Sequence, residues 1–361
     1  MKKILGLLTL TVLGILVATL VLALAYRAFR QHQANSNLRI TAPNGIREEI
    51  FVPIGGIDQF LQIRGEDRNN PVLLVLHGGP GFSYVPFTSV FQHWEKHFTV
   101  VLWDQRGAGK TFGRNGKSGN GSLTIDRMAR DGIEVAEFLR SHFQKPKITI
   151  FAHSWGSVIG LPMIKLHPEL FDAYASSGQV VNMERNEVKS YELLRESLKT
   201  TGDQKALASL EELGPPPYAD KDTWMKKGRL IVMNSPPPPD GRTLPNIFAA
   251  ALFTPSYSLK DAYHLFAAFD FSITSLYGEM MSYDAAALGN KFDVPLFIFQ
   301  GDSDLQAPTS IVEEYFPTIE APHKELILLK GEGHTAVLSN PDLFLDLLLQ
   351  HVRPRIPNPK N

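Results

Sequence analysis

The 361-residue sequence contains no cysteine, which excludes disulfide bonds, thiolate nucleophiles and cysteine-based zinc sites. It also lacks an excess of either charge: 36 Lys and Arg residues face 37 Asp and Glu residues, with no block of like charge, so nucleic acid is not an expected partner. The spacings typical of HExxH zinc sites and of EF-hands are missing. We therefore expect neither a metal nor a cofactor.

Residues 107–111 (GAGKT) resemble part of a phosphate-binding loop, but Asp104 stands where that motif requires its first glycine. The sequence therefore does not predict a nucleotide-binding site there.

One long apolar run stands at the N-terminus. Residues 4–25 carry no charge, Lys2 and Lys3 precede them, and Arg27 and Arg30 follow. About 20 apolar residues suffice to cross a bilayer, so residues 1–30 are predicted to be a single membrane anchor. The slightly more positive N-terminal flank favours a catalytic domain outside the cytoplasm. The alternative is a signal peptide, cleaved near the small residues at 23–25, and a secreted product.

The remainder of the chain divides into four predicted parts. Residues 31–46 are polar and are predicted to form a tether. Short apolar runs alternate with helical patterns over residues 47–180 and 291–355. This alternation is typical of an α/β fold with a mostly parallel sheet. Residues 181–290 break this alternation with proline tracts at 215–217 and 236–239 and with an aromatic-rich stretch, and are predicted to form an inserted, largely helical cap. The clearest predicted elements are a hairpin of strands 48–53 and 59–64, buried strands at 72–76, 99–102, 148–152 and 295–299, and a helix at 125–143.

Ser154 lies at the end of a predicted buried strand, where small residues and a helical pattern follow at once. This arrangement predicts a nucleophile elbow, a sharp turn that holds the serine hydroxyl out at the corner between a strand and a helix. Such a turn tolerates little bulk two residues to either side, and Ala152 and Gly156 occupy those places. The alternative is a strand and helix that happen to meet at a serine.

The groups that a nucleophilic serine needs follow other predicted strands. Asp304 and Asp302 come after one strand and His334 after the next, in the chain order serine, acid, histidine that is typical of α/β-hydrolases. We predict Asp304 to orient His334, with Asp302 shaping the loop. Residues 77–81 (HGGPG) follow an earlier strand, and the backbone N–H groups of Gly79 and Trp155 are predicted to form an oxyanion hole.

Three sequence blocks occur in order along the chain: residues 77–81 (HGGPG), 103–109 (WDQRGAG) and 153–157 (HSWGS). Together they resemble the blocks of proline iminopeptidases, serine aminopeptidases of the α/β-hydrolase fold that release N-terminal proline, and the similarity resumes over 294–352. The resemblance implies the roles already given to Ser154, Asp304 and His334, and it implies that 103–106 form a buried loop beneath the site. The cap shows no clear match to the glutamates that bind the substrate amine in this family. Glu279 is the candidate among its acids, and an ordinary surface or helix-end glutamate is the alternative.

The sequence thus predicts a membrane-tethered serine hydrolase that acts through an acyl-enzyme, most simply an aminopeptidase of the EC 3.4.11 type acting on a small peptide. A carboxylesterase or lactonase of the same fold is the alternative, because the cap determines the substrate. A non-catalytic binding protein would show a damaged triad, and no such damage is visible in the sequence. Epoxide hydrolases and dehalogenases of this fold need an aspartate where Ser154 stands.

Overall fold

The computed structural model of the protein describes residues 2–235 and 250–357. Its centre is an eight-stranded sheet with the strand order β1-β2-β4-β3-β5-β6-β7-β8. The first two strands form an antiparallel hairpin and β2 pairs antiparallel with β4, whereas all later neighbours are parallel. The strands are β1 Ile46–Ile54, β2 Ile57–Gly65, β3 Val72–Leu76, β4 Thr99–Asp104, β5 Ile148–His153, β6 Phe171–Ser177, β7 Leu296–Gly301 and β8 Lys324–Leu329.

Helices cover both faces of this sheet, as expected for a mostly parallel sheet with buried apolar strands. The helices are α1 Lys2–Asn37, α2 Gly109–Gly119, α3 Ile125–Phe143, α4 Trp155–Leu166, α5 Met183–Thr201, α6 Gln204–Leu213, α7 Lys221–Asn234, α8 Leu259–Met281, α9 Thr309–Tyr315, α10 Ala336–Ser339 and α11 Pro341–Leu347. Two large apolar clusters result, one on each side of the sheet. The predicted hairpin and the helix at 125–143 are both confirmed.

The N-terminal capping residues of α3 and α8 explain why these helices begin where they do. Thr124 accepts a hydrogen bond from the N–H of Arg127 at 3.1 Å, which satisfies one of the free donors at the start of α3. At α8, Ser258 and Asp261 form a reciprocal capping box. A hydroxyl or carboxylate at the first turn thus determines both starting points.

Between β6 and β7 the alternation of strands and helices stops, and helices α5 to α8 follow one another. We call residues 181–290 the cap segment. Its second proline tract, at 236–239, lies outside the described residues. Helices α5, α6 and α7 share a small apolar cluster of their own, built around Leu194, Leu198 and Leu210. The cap segment therefore has a local core in addition to its contacts with the sheet domain.

The first helix is longer than the sequence predicted. It runs from Lys2 to Asn37, so residues 31–37 of the predicted tether (31–46) are helical, and β1 begins at Ile46. The prediction of a tether is therefore corrected: Gln31 is held by hydrogen bonds to residues 254 and 257, and Leu38 is buried. Among the described residues α1 is the one helix long and apolar enough to cross a membrane, with a mean hydropathy of 2.7 over its most apolar window.

Candidate active site

Ser154 stands between the last residue of β5 and the first residue of α4. Its φ of 53° and ψ of −119° lie in a region that non-glycine residues rarely adopt, and such strain is often found at functional sites. The N–H of Ser154 donates to the carbonyl of Ser177 at 3.0 Å, which fixes the turn to the neighbouring strand. A Cβ atom on Gly156 would lie 2.2 Å from the carbonyl oxygen of Leu76, so the close approach of helix and strand requires glycine there.

The structure brings Ser154, His334 and Asp304 into one hydrogen-bonded chain. The Ser154 hydroxyl lies 2.8 Å from Nε2 of His334, and Nδ1 of His334 lies 2.8 Å and 3.1 Å from the two carboxylate oxygens of Asp304. A carboxylate accepts only, so Nδ1 carries the proton and Nε2 is free to accept from the serine. This geometry allows His334 to remove the hydroxyl proton of Ser154.

Asp304 is held in place by its own partners. Its Oδ1 accepts from the backbone N–H groups of Gln306 and Ala307, each at 2.8 Å, and the side chain is almost wholly buried. Asp302 instead faces the loop after β8, where it accepts from the N–H of Gly331 at 2.8 Å. The structure therefore places one carboxylate, Asp304, at His334 and the other, Asp302, in the loop.

A second buried histidine supports the backbone of His334. Nε2 of His153 lies 2.7 Å from the carbonyl oxygen of His334, and Nδ1 of His153 accepts from the Tyr84 hydroxyl. Burial lowers the pKa of His153 to about 3, with the neighbouring His334 acting in the same direction. His153 is thus neutral and donates to the carbonyl. Sequence reasoning quoted His153 as part of a motif but gave it no role, although its place directly before Ser154 was the available signal.

Gly79 and Trp155, the residues predicted to form the oxyanion hole, both line the cavity that contains Ser154. Trp155 is the first residue of α4, where backbone N–H groups have no partner within the helix. Gly79 has a φ of 132°, and a Cβ atom there would lie 2.7 Å from the backbone nitrogen of Gly81. The loop at 77–81 therefore exposes backbone to the cavity only because glycine occupies that position.

The residues beneath this loop are buried and bonded to one another. His77 receives a hydrogen bond at Nε2 from the N–H of Gln105, and its Nδ1 donates to the carbonyl of Gly78 at 2.8 Å. The Gln105 side chain in turn accepts from the indole N–H of Trp155 at 3.1 Å. Burial lowers the pKa of His77 to about 4, so this ring is a neutral anchor for the loop.

The cavity of about 80 Å³ is lined on its far side by the cap segment. Among the described residues that line it, Glu187 of α5 is the only carboxylate, and Lys227 of α7 faces it. The ammonium group of Lys227 donates to Glu187 and, at 3.2 Å, to the hydroxyl of Ser190, while the indole N–H of Trp224 donates to the other oxygen of Glu187 at 3.0 Å. Burial lowers the pKa of Lys227. Sequence reasoning missed this pair.

Glu279, the acid predicted to bind a substrate ammonium, lies elsewhere. Its carboxylate accepts from the N–H of Ile125 at 3.0 Å, at the first turn of α3, and it is not among the described residues that line the cavity. An acid at a helix N-terminus is stabilised by the unpaired N–H groups there, which is the physical reason for its position. Among the described cap residues that line the cavity, the carboxylate is therefore that of Glu187 and not that of Glu279.

Comparison with known proteins agrees with this architecture. Residues 71–210 match the sequence model of the alpha/beta hydrolase fold. The chain is 30% identical over 303 residues to the "Probable aminopeptidase YbaC" of Bacillus subtilis, covering 83% of this chain and 94% of that protein. It is 24% identical to the proline iminopeptidase of Saccharolobus solfataricus, covering 84% of this chain and 92% of that protein.

Among solved structures, the proline iminopeptidase of Mycobacterium smegmatis superposes with a TM-score of 0.62 at 16% identity, covering 85% of this chain and 98% of that one. At 16% identity, this structural similarity is evidence for the fold only. The fold and the sequence relatives together define a hydrolase of the α/β-hydrolase class. The chain belongs to the proline iminopeptidase-like family of that class.

Proposed function

We propose that the protein is a serine hydrolase that acts through an acyl-enzyme. The observation that carries this proposal is the hydrogen-bonded chain from Ser154 through His334 to Asp304. His334 accepts the hydroxyl proton while Ser154 attacks the substrate carbonyl, and Asp304 stabilises the imidazolium that results. His334 then gives the proton to the leaving group, and water, activated by His334, releases the acyl group from Ser154.

The negative charge that develops on the carbonyl oxygen would be stabilised by the backbone N–H groups of Gly79 and Trp155. Each such donor contributes about 3–4 kcal/mol to the stability of the transition state in enzymes of this kind. The positions of Gly79 and Trp155 in the wall of the cavity support this assignment.

The test is covalent labelling of the full-length protein by a fluorophosphonate, with peptide mapping of the label. We expect the label on Ser154, and we expect Ser154→Ala to abolish both labelling and turnover without changing the thermal unfolding temperature greatly. A label on another residue, or turnover retained by Ser154→Ala, would overturn the mechanism.

For the substrate we propose an N-terminal residue of a short peptide, with Glu187 accepting the free ammonium. The aminopeptidase and proline iminopeptidase relatives support this choice, as does the position of Glu187 in the wall of the cavity. The small cavity favours a short acyl group.

A second candidate is hydrolysis of esters with an uncharged acyl group. The observation in its favour is that Lys227 already compensates the charge of Glu187. Proline and other aminoacyl naphthylamides, compared with short nitrophenyl esters, discriminate between the two. A kcat/KM that is higher for the free-amine amides than for the same amides with a blocked amine supports the aminopeptidase. Turnover of the esters without turnover of the free-amine amides favours the ester hydrolase.

We also propose that α1 spans a membrane and that the catalytic domain lies outside the cytoplasm. The exposed apolar surface of α1 and the cations at its start support this proposal. Protease treatment of intact cells tests it: we expect the domain to be degraded, and protection would contradict the orientation.

A further inference from the structure

The part of α1 that follows its apolar stretch is attached to the cap segment. The guanidinium of Arg27 donates to the carbonyl of Tyr257 at 2.7 Å. The side-chain amide of Gln31 donates to the carbonyls of Thr254 and Tyr257, at 2.7 Å and 2.9 Å. These bonds link the helix to one short segment of the cap, so the two are held together without a flexible connection.

Aromatic contacts reinforce this attachment nearer to the apolar stretch. The ring of Tyr26 packs edge-on against Phe253, with centroids 5.8 Å apart, and the guanidinium of Arg30 lies 5.1 Å from the centroid of Phe253. With a rise of about 1.5 Å per residue, Arg27 and Gln31 lie only about 3 Å and 9 Å beyond residue 25 along the helix axis. The cap residues bonded to them therefore lie at the level where the apolar stretch ends.

Exposed apolar side chains flank this attachment on the cap. Leu252 is 44% exposed, and Leu259 and Tyr263, in the first two turns of α8, are 48% and 71% exposed. Leu259 and Tyr263 are four residues apart and so lie on one face of the helix. Lys260 beside them is also exposed. Since α8 begins two residues after Tyr257, this face starts within one helical turn of the point where Arg27 holds the cap.

We propose that Leu252, Leu259 and Tyr263 form a docking face that lies in the interfacial layer of the same bilayer that α1 spans. This inference rests on the proposed membrane anchoring of α1. Apolar and aromatic side chains next to a lysine match the boundary between acyl chains and anionic headgroups, where tyrosine rings are enriched. The rigid attachment holds the face at that boundary, which favours lipid over a second copy of the chain as its occupant.

The same helix reaches the catalytic loops. Farther along α8, the hydroxyl of Ser272 donates to the carbonyl of Gly107 at 2.8 Å, and a Cβ atom on Gly81 would lie 2.8 Å from that of Ser272. Tyr257 itself donates from its hydroxyl to Ser83, just after the loop that contains Gly79, at 3.0 Å. The helix that carries part of the docking face, α8, therefore also packs against the loop at 77–81 that contains Gly79.

The absence of cysteine makes this proposal directly testable, since a single introduced cysteine carries a single label. The full chain is reconstituted in phosphatidylcholine–phosphatidylglycerol vesicles with a nitroxide on Leu259→Cys or Tyr263→Cys. Collision rates with oxygen, which concentrates in lipid, are compared with those of a water-soluble nickel complex. Leu328→Cys is the matched control, because Leu328 is 46% exposed but lies on β8, seven strand spacings or about 34 Å from β1 at the other edge of the sheet.

For side chains that enter the boundary by about 5–10 Å, we expect the oxygen-to-nickel ratio at 259 and 263 to exceed that at 328 at least about threefold. A label on Leu16→Cys, exposed in the middle of the apolar stretch, reports the insertion of α1 itself. Ratios at 259 and 263 equal to that at 328, with position 16 in lipid, would overturn the docking face alone. Efficient disulfide cross-linking of two Tyr263→Cys chains would assign the face to a second copy instead. A label at 16 in water would overturn the anchoring, and the docking with it. None of these results depends on the hydrolase activity.

Discussion

The ammonium group of Lys227 and the carboxylate of Glu187 form a buried ion pair in the wall of the cavity that contains Ser154. The two residues come from different helices of the cap segment, and Trp224 and Ser190 complete their hydrogen bonds. A substrate ammonium that approaches Glu187 therefore meets a positive charge already in place. The pair balances the charge of the pocket, so each partner is expected to affect substrate choice in the opposite direction.

Lys227→Met should raise the preference for substrates with a free amine. Removal of the lysine leaves Glu187 without its cation, so we expect the ratio of kcat/KM for aminoacyl amides over uncharged esters to rise about tenfold, equivalent to about 1.4 kcal/mol. The unpaired carboxylate should also lower the free energy of unfolding by about 3–5 kcal/mol. Lys227→Arg, which keeps the charge, is the control. Glu187→Gln should shift the substrate ratio in the opposite direction, and an unchanged ratio in both variants would show that the pair does not face the acyl group.

Asp304→Asn should lower kcat by about 10⁴-fold with little effect on folding, because an amide nitrogen opposite Nδ1 favours the wrong tautomer of His334. Asp302→Asn is a matched control in the same loop. Its Oδ1 accepts from Gly331 and remains an acceptor after the substitution, so kcat should change little. Steady-state kinetics on both variants tests this contrast, and equal losses would show that the loop as a whole, and not the contact with His334, controls the rate.

The buried His153 should make the protein less stable in acid. Its pKa is about 3 in the folded chain against about 6.5 when unfolded, so between these values the unfolded chain binds more protons and the free energy of unfolding decreases as the pH falls. One such group contributes about 1.4 kcal/mol per pH unit. Between pH 6.5 and pH 5 the loss in the wild type should therefore exceed that in His153→Gln by about 2 kcal/mol, measured by denaturant unfolding in detergent. The same loss in both proteins would contradict the neutral state of His153.

Gly156→Ala should destabilise the fold by about 1–3 kcal/mol or more, because its methyl group would meet the carbonyl oxygen of Leu76. Gly278→Ala provides the opposite case within α8. A Cβ atom there meets nothing within 4 Å, and alanine is the better helix former by up to about 1 kcal/mol. Thermal unfolding should thus move down for the first variant and slightly up for the second. A neutral Gly156→Ala would mean that helix and strand can separate at the elbow.

The sheet and the arrangement around Ser154 could be predicted because their signals are local. Buried strands read as short apolar runs, and the carboxyl ends of parallel strands meet at one edge, so Ser154, Asp304 and His334 could be expected to lie close together in space. The hairpin at 46–65 was equally visible from its alternation around two glycines. For each strand, the apolar pattern that predicts it also predicts where the residue directly after it will lie.

The cap was less predictable because its contacts join helices that carry no such pattern. Glu187 and Lys227 lie forty positions apart, and neither stands next to a motif. Glu279 is the sequence's candidate among the acids of the cap, yet its partner is the N-terminus of α3, which only the packing of α8 against the sheet domain brings near. The extension of α1 to Asn37 depends in the same way on bonds from Arg27 and Gln31 to residues more than 220 positions away.

An unbroken α1 that is bonded to the cap has a consequence for how the enzyme meets its substrates. If α1 spans a membrane as proposed, the catalytic domain would diffuse in two dimensions only, at one height and in one orientation relative to the bilayer plane. Turnover would then scale with the amount of substrate present in the thin layer of solution next to the membrane. Two substrates of equal bulk concentration would be processed at different rates if one of them adsorbs to the lipid surface.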